Sequence, residues 1–150
     1  MRTIHYIIAT GFGCGYSPTA PGTAGTILAL LIGYFLIDGN LPWLIAATLL
    51  FTIIGTISAD FVEKNSGNHD PSIVVVDEIA GMLLGLWAVP VEPIPYLVAF
   101  GFFRLFDVTK LFPIDNLQRL PGGWGIMFDD IGAGIYTLAA MHLLLYFGVL

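Results

Sequence analysis

The feature that most restricts the fold is Leu41–Ala59, 19 consecutive residues without a charged side chain. A second stretch, Ile131–Leu150, runs for 20 residues and is broken only by His142. Each matches the roughly 20 apolar residues that a helix needs to cross a bilayer core. Shorter apolar segments lie at Ala24–Ile37, Ile73–Val91 and Ile94–Phe103, and the last continues into Arg104 and Asp107. Pro42, the Pro90/Pro93/Pro95 cluster and the Pro113–Gly123 stretch separate these segments as helix breakers. Of 150 residues, 57% are hydrophobic and only 11% charged, against about 25% charged in a soluble domain. One compact soluble unit of this size leaves too much surface in water to hide that apolar content. The expectation is one all-α domain over residues 1–150. It is a polytopic membrane helical bundle of about four to five apolar segments.

If each segment crosses once, the loops fall on two faces. Arg2, Lys64, Arg104, Lys110 and Arg119, all five basic residues, then lie on one face, which the positive-inside rule makes cytoplasmic. Nine of the eleven acids share that face, all but Asp38 and Glu92. A net charge of -6 with so few cations excludes a nucleic-acid partner. Cys14 is the single cysteine, so no internal disulfide or thiolate zinc cluster forms. Arg2 and the short run to Thr10 are too weak for a secretory signal. The sequence leaves open the oligomeric state and whether residues 3–10 form an interfacial helix.

Carboxylates inside a membrane segment are costly and usually face a bundle interior or cavity. Asp77-Glu78 opens an apolar segment in which Asp77, Gly81, Gly85 and Ala88 share one helix face. Small residues there let a neighbouring helix approach, aiming Asp77 inward; the plainer reading is complementarity to a helix N-terminus. Asp129-Asp130 repeats the design, with Gly134 four residues beyond Asp130. Two adjacent carboxylates repel unless a cation neutralises them, and an all-oxygen set suits Mg²⁺ or Mn²⁺. Arg104, Asp107 and Lys110 recur at i, i+3 and i+6. They form either a self-satisfied ion-pair ladder or a site in which Asp107 binds metal while Arg104 and Lys110 contact phosphate.

The Gly/Pro-rich loop Gly11–Gly22 precedes an apolar helix, so Gly22 and Thr23 offer backbone N–H groups to an anion; a plain re-entrant turn is the alternative. It is no Walker loop, because no Gly-Lys-Ser/Thr follows. His69 and Asp70 stand on the same rim, His69 more in the manner of a loop histidine than a ligand. Asp60, Glu63, Lys64 and Asp115 read as solvated helix ends, and His5 and His142 as structural. Cys14 lacks the arginine six residues on that a cysteine phosphatase needs, since position 20 is Ala. No Asp-x-Asp-x-Thr nucleophile motif or metalloprotease helix is present.

Taken together, four stretches resemble the phosphatidylglycerophosphatase A family of magnesium-dependent bacterial lipid phosphatases. They are Gly11–Thr23, His69-Asp70 with Ile73–Met82, Phe103–Lys110 with Pro113-Ile114, and Gly122–Gly134. They occur in order across residues 11–134. One departure is Leu111, where the family more often has proline, and it removes no polar group.

The resemblance implies hydrolysis of phosphatidylglycerophosphate to phosphatidylglycerol and phosphate at the cytoplasmic leaflet of the bacterial inner membrane. Within it, Asp77, Glu78, Asp107, Asp129 and Asp130 are the expected catalytic and Mg²⁺-binding carboxylates, with one of them serving as base or nucleophile. Arg104, Lys110, Gly22 and Thr23 are the expected phosphate contacts, and His69 and Asp70 are further candidates. The rival reading is a transport protein whose intramembrane acids bind a coupling ion. It requires acids near the bilayer midplane and broken helices in corresponding halves, whereas these acids stand at segment ends.

Overall fold

A computed structural model describes residues 1–150 and is helical throughout, with no strand. The helices are α1 (Arg2–Ala9), α2 (Pro21–Leu31), α3 (Leu41–Ser66), α4 (Val76–Gly85), α5 (Pro93–Thr109), α6 (Ile114–Leu117) and α7 (Gly123–Tyr146). A π-helical stretch, Ile32–Leu36, prolongs α2. Proline stands in the first turn of α2, α3 and α5, where its missing N–H costs nothing. Asn40 caps α3 by accepting from the Trp43 N–H at 3.3 Å, and Gly67 in the left-handed conformation ends it.

The central element is α4. Nine of its ten residues are buried, and the exception, Glu78, is partly covered. Helices α2, α3, α5 and α7 surround it. Ile79, Met82 and Leu83 pack with Ala99 and Phe103 of α5 and Met141 of α7. On the other side, Val76 and Ala80 meet Ala59 and Val62 of α3 with Met127 of α7.

Close approach of α4 and α7 depends on two glycines. A Cβ on Gly81 would stand 2.4 Å from the Asp130 carbonyl oxygen, and one on Gly134 would stand 2.4 Å from that of Gly81. No side chain fits such a gap. Gly85 continues the seam against Thr137. The expected small-residue face therefore exists, with one correction: Ala88 is not on it. The helix ends at Gly85, and Ala88 sits in the following turn with φ 55°.

Other expectations also change in extent. The segment Ile73–Val91 is helical only over Val76–Gly85, about 15 Å at 1.5 Å per residue, half a bilayer core. The segment expected at Ile94–Phe103 extends to Thr109, which puts Arg104 and Asp107 on α5 itself. Residues 3–10 lie almost wholly in α1, whose His5 ring stacks on Phe61 of α3 at 4.5 Å. One helix, α3, is long and apolar enough to cross a membrane, and only 33% of its apolar window is buried. Its threonines in the apolar stretch are satisfied within the helix: Thr48, Thr52 and Thr56 each donate to the carbonyl four residues back.

Candidate active site

The start of α4, the end of α5 and the second turn of α7, with the start of α2, enclose a polar pocket of about 390 Å³. Asp70, Asp77, Glu78, Asp107, Asp129 and Asp130 line it, together with Arg104 and Lys110. Six of the eleven acids thus converge from four separate stretches of chain.

Asp77 and Glu78 stand in the first turn of α4, where the helix dipole favours negative charge. Dipole complementarity does not account for Asp129 and Asp130. The α7 helix starts at Gly123, so these residues lie nearly two turns inside it, beyond the reach of its N-terminal partial charge. Both face the α4 crossing, and Asp77, Asp129 and Asp130 are 5%, 4% and 2% exposed. Each of the three offers one oxygen within 4.8 Å of the others. Each also leaves one buried oxygen without a hydrogen-bond partner, as does Glu78. Unpartnered buried charge is expensive. Such a cluster could hold a metal ion.

Two cations answer part of the charge. On α5, Arg104 donates to Asp107, as the ladder reading expects. Lys110 departs from the simple i, i+3, i+6 stripe, because it is the left-handed residue just beyond α5, with φ 46°. That conformation carries its ammonium to Asp129 Oδ2 at 2.7 Å, while Asp107 Oδ1 is 4.0 Å away. The ladder and the site are one structure.

From the other side, α2 presents its N-terminus. Ala20 adopts φ 47° ahead of Pro21, and the Gly22 backbone comes so near that an added Cβ would lie 2.6 Å from Glu78 Oε1 and 3.3 Å from an Arg104 guanidinium nitrogen. The first-turn N–H groups of a helix have no partner within it. Gly22 lines the pocket; Thr23 does not. The loop Gly11–Gly22 therefore ends in a helix N-terminus at the site.

The pair His69 and Asp70 divides. Asp70 reaches the pocket, where loss of hydration, and then the Asp77 charge, push its carboxyl up to about 6. His69 turns away and pairs with Glu63 at 2.8 Å, a bond that raises its own pKa. Sequence reasoning missed the neighbours Pro71 and Ser72, which continue the pocket wall from Asp70. Proline beside an acid on the rim was the only available signal. Two residues read as solvated ends do more than that. Asp60 accepts from the Gly123 N–H at 3.4 Å, joining α3 to the start of α7, and one oxygen of Asp115 is buried without a partner. His142, as expected, is structural, bonding the Trp87 carbonyl at 2.8 Å.

Comparison with known proteins finds relatives over most of the chain. A protein of Bacteroides thetaiotaomicron named "Putative phosphatidylinositol-3-phosphatase" is 44% identical over 139 residues, 87% of this chain and 87% of the relative. The phosphatidylglycerophosphatase A of Escherichia coli is 36% identical over 91% of this chain and 81% of its own length. That of Haemophilus influenzae is 35% identical over 97% of this chain and 91% of its own. No solved structure matches the chain. The family described as phosphatidylglycerophosphatase A matches residues 7–145, which includes every side chain of the carboxylate pocket, and the chain belongs to that family.

Proposed function

We propose that this protein hydrolyses the terminal phosphomonoester of phosphatidylglycerophosphate, releasing phosphatidylglycerol and inorganic phosphate. The observation that carries the reading is the convergence of six carboxylates, four of them with an orphaned buried oxygen, beside Arg104 and Lys110. Asp77, Glu78, Asp107, Asp129 and Asp130 are the residues that would hold one or two Mg²⁺ ions. Their all-oxygen chemistry and missing partners fit a hard divalent cation. When bound, such an ion supplies Lewis-acid polarisation of the phosphoryl group.

The chain's own groups do the rest. Arg104 presents a planar fork to phosphate oxygens, and Lys110 adds a point charge. Both release a carboxylate partner to do so, and their charge then opposes the charge spread over the transferred phosphoryl group. The Gly22 N–H adds the partial positive charge of the α2 N-terminus. Burial of Asp77, Asp129 and Asp130 excludes bulk water and strengthens each of these interactions. In the reaction, the oxygen of a water forms the new bond to phosphorus. The bond from phosphorus to the glycerol oxygen breaks, and a proton passes to that oxygen.

The polytopic reading belongs to the same proposal. The outward apolar residues of α3, such as Leu49, Ile53 and Ile57, are over half exposed and suit lipid as their solvent. Arg104 and Lys110 line the pocket, and if each apolar segment crosses once the other three cations share its face, so the positive-inside rule supports a pocket open to the cytoplasmic leaflet of a bacterial inner membrane. Cysteine reporters at Ser66 and Gln118, in a Cys14→Ala background, are expected to label from the cytoplasmic side, and reporters at Asn40 from outside. A transport role draws no support from acids gathered at one end of the bundle.

One observation favours a second reading. The Bacteroides relative carries the name of a phosphatase for a different phosphorylated lipid. Purified protein in detergent, given phosphatidylglycerophosphate or phosphatidylinositol 3-phosphate with Mg²⁺, decides between the two by released phosphate. EDTA is expected to abolish release and Mg²⁺ to restore it. Full activity after thorough chelation removes the metal, and preference for the inositol lipid changes the substrate.

A further inference from the structure

We infer that the seam between α2 and α5 is an acyl-chain track for the lipid whose phosphate enters the carboxylate pocket. This rests on the reading of that pocket as a lipid phosphatase site. An apolar groove of about 340 Å³ opens between the two helices, lined by Leu30, Leu31, Tyr34 and Phe35 on one side and by Pro93, Tyr96 and Leu97 on the other. The same two helices supply Gly22 and Arg104 to the polar pocket. Groove and pocket are therefore two ends of one seam.

The spacing suits one leaflet. Gly22 precedes Leu30 by eight residues and Leu97 precedes Arg104 by seven, so the pocket and the groove are about 10–12 Å apart along the helices. Half of a hydrocarbon core is about 15 Å. A chain that leaves a phosphate at Arg104 and runs parallel to α5 reaches the groove inside its own leaflet.

The path between them is apolar and open. Leu97, Gly101, Leu105 and Val108 recur on one face of α5, and all four are exposed. Leu97 lines the groove and Val108 lines the pocket. Gly101 forms a notch midway, since an added Cβ there would meet nothing within 4 Å. The opposite face of α2 is matched by Ile27 and Leu31, 44% and 48% exposed. Elsewhere the pocket rim is Asp70, Ser72 and Lys110, which offer a hydrocarbon chain nothing. A second apolar surface, the outward face of α3, leads instead to Asp60 and Lys64, outside the carboxylate pocket.

Two measurements test this. Gly101→Phe fills the notch and Leu97→Trp narrows the groove, while Ile53→Phe on α3 serves as the control. Both seam variants are expected to lower kcat/KM for dipalmitoyl phosphatidylglycerophosphate by about tenfold, the scale of two lost methylene contacts. Turnover of the deacylated headgroup, glycerophosphoglycerol phosphate, is expected to stay within about twofold, and Ile53→Phe to change neither. Unchanged long-chain turnover in both seam variants overturns the inference, and so does an equal loss on both substrates.

The second readout needs no turnover. Phosphatidylglycerophosphate with a diazirine in its acyl chain is expected to crosslink to α2 and α5 in preference to phosphatidylcholine bearing the same chain. Equal crosslinking by both lipids means that the seam sees only bulk bilayer, and the inference falls. Preferential crosslinking by a protein that releases no phosphate overturns the assigned reaction and leaves the track standing.

Discussion

Two groups of acids sit at the same end of the bundle and look alike as sequence. At the end of α3, Asp60 and Glu63 have Lys64 and His69 for partners; in the pocket, Asp77, Glu78, Asp107, Asp129 and Asp130 have Arg104 and Lys110. Their physics differs. Lys64 pairs with Asp60 at 2.6 Å across one helical turn, and its side chain is 76% exposed. Water screens that pair, and exposed pairs of this type contribute about 0–1 kcal/mol. In the pocket the carboxylates outnumber the cations and are held by the α4–α7 crossing, where leaving them unpaired costs several kcal/mol. The difference teaches that acid count does not mark a site. Nor does one orphaned oxygen, which Glu63 and Asp115 also have; several such oxygens gathered in one buried pocket do.

The sharpest way to break the contrast is to neutralise acids on both sides of it. Asp77→Asn and Asp130→Asn are expected to fold and to lose roughly a hundredfold or more in phosphate release at saturating Mg²⁺. Asp60→Asn and Glu63→Gln are expected to stay within a few-fold of the parent. With metal removed, the two pocket variants should melt at or above the parent temperature, because a close carboxylate repulsion has gone. Near-normal turnover in both would end the site assignment.

A second test acts on the packing that holds the acids. Gly81→Ala drives a methyl group into the Asp130 carbonyl, 2.4 Å away, so the helices must part. The expected cost is about 1–3 kcal/mol or more in stability, with turnover lost alongside it. Gly101→Ala, where a Cβ meets open space on α5, is expected to stabilise by about 0.5–1 kcal/mol. Equal melting temperatures for the two variants would show that the crossing is not what confines the carboxylates.

Proton linkage separates the groups more finely. Asp70 titrates near 6 in the fold against an ordinary 3.8, so between those values the folded protein holds more protons than the unfolded chain. Stability of the metal-free protein should therefore fall as pH rises from about 4 to 6, and Asp70→Asn should flatten that slope. On the rim the sign is the same and the window lies higher: His69 is raised by Glu63, so its contribution is present below the ordinary histidine pKa and lost as pH rises past the folded value. Thermal melts across pH, with chelator present, check both.

The smallest effect belongs to the exposed pair. Lys64→Ala is expected to change stability by less than about 1 kcal/mol and turnover not at all. A large loss there would place the end of α3 in the reaction.

Much of this was legible before the fold. Apolar runs and prolines marked α2 and the bodies of α3 and α7, because hydropathy and breakers act locally, but α3 runs on past Ala59 to Ser66 and α7 starts at Gly123, well before Ile131. The i, i+4 spacing of Asp77 with Gly81 and of Asp130 with Gly134 already implied a close crossing beneath two acids. Helix ends were less legible: α4 stops at Gly85 although the apolar run continues to Val91. The run stays apolar through the turn at Leu86–Ala88, so hydropathy does not register where the helix stops.

What the sequence determined by itself was the class of molecule, the family and the identities of the acids and bases at issue. Those follow from composition, spacing and ordered motifs, which need no coordinates. Only the tertiary structure decided which of them share a pocket. It turned Asp70 in and His69 out, set Lys110 against Asp129 through a left-handed residue, and moved Asp129 and Asp130 from a helix start to its second turn. The physical reason is that local sequence governs a residue's backbone and its helix face. Burial and partner number depend on which other helix arrives there, and at this site that is settled by the Gly81–Gly134 contact between segments some fifty residues apart.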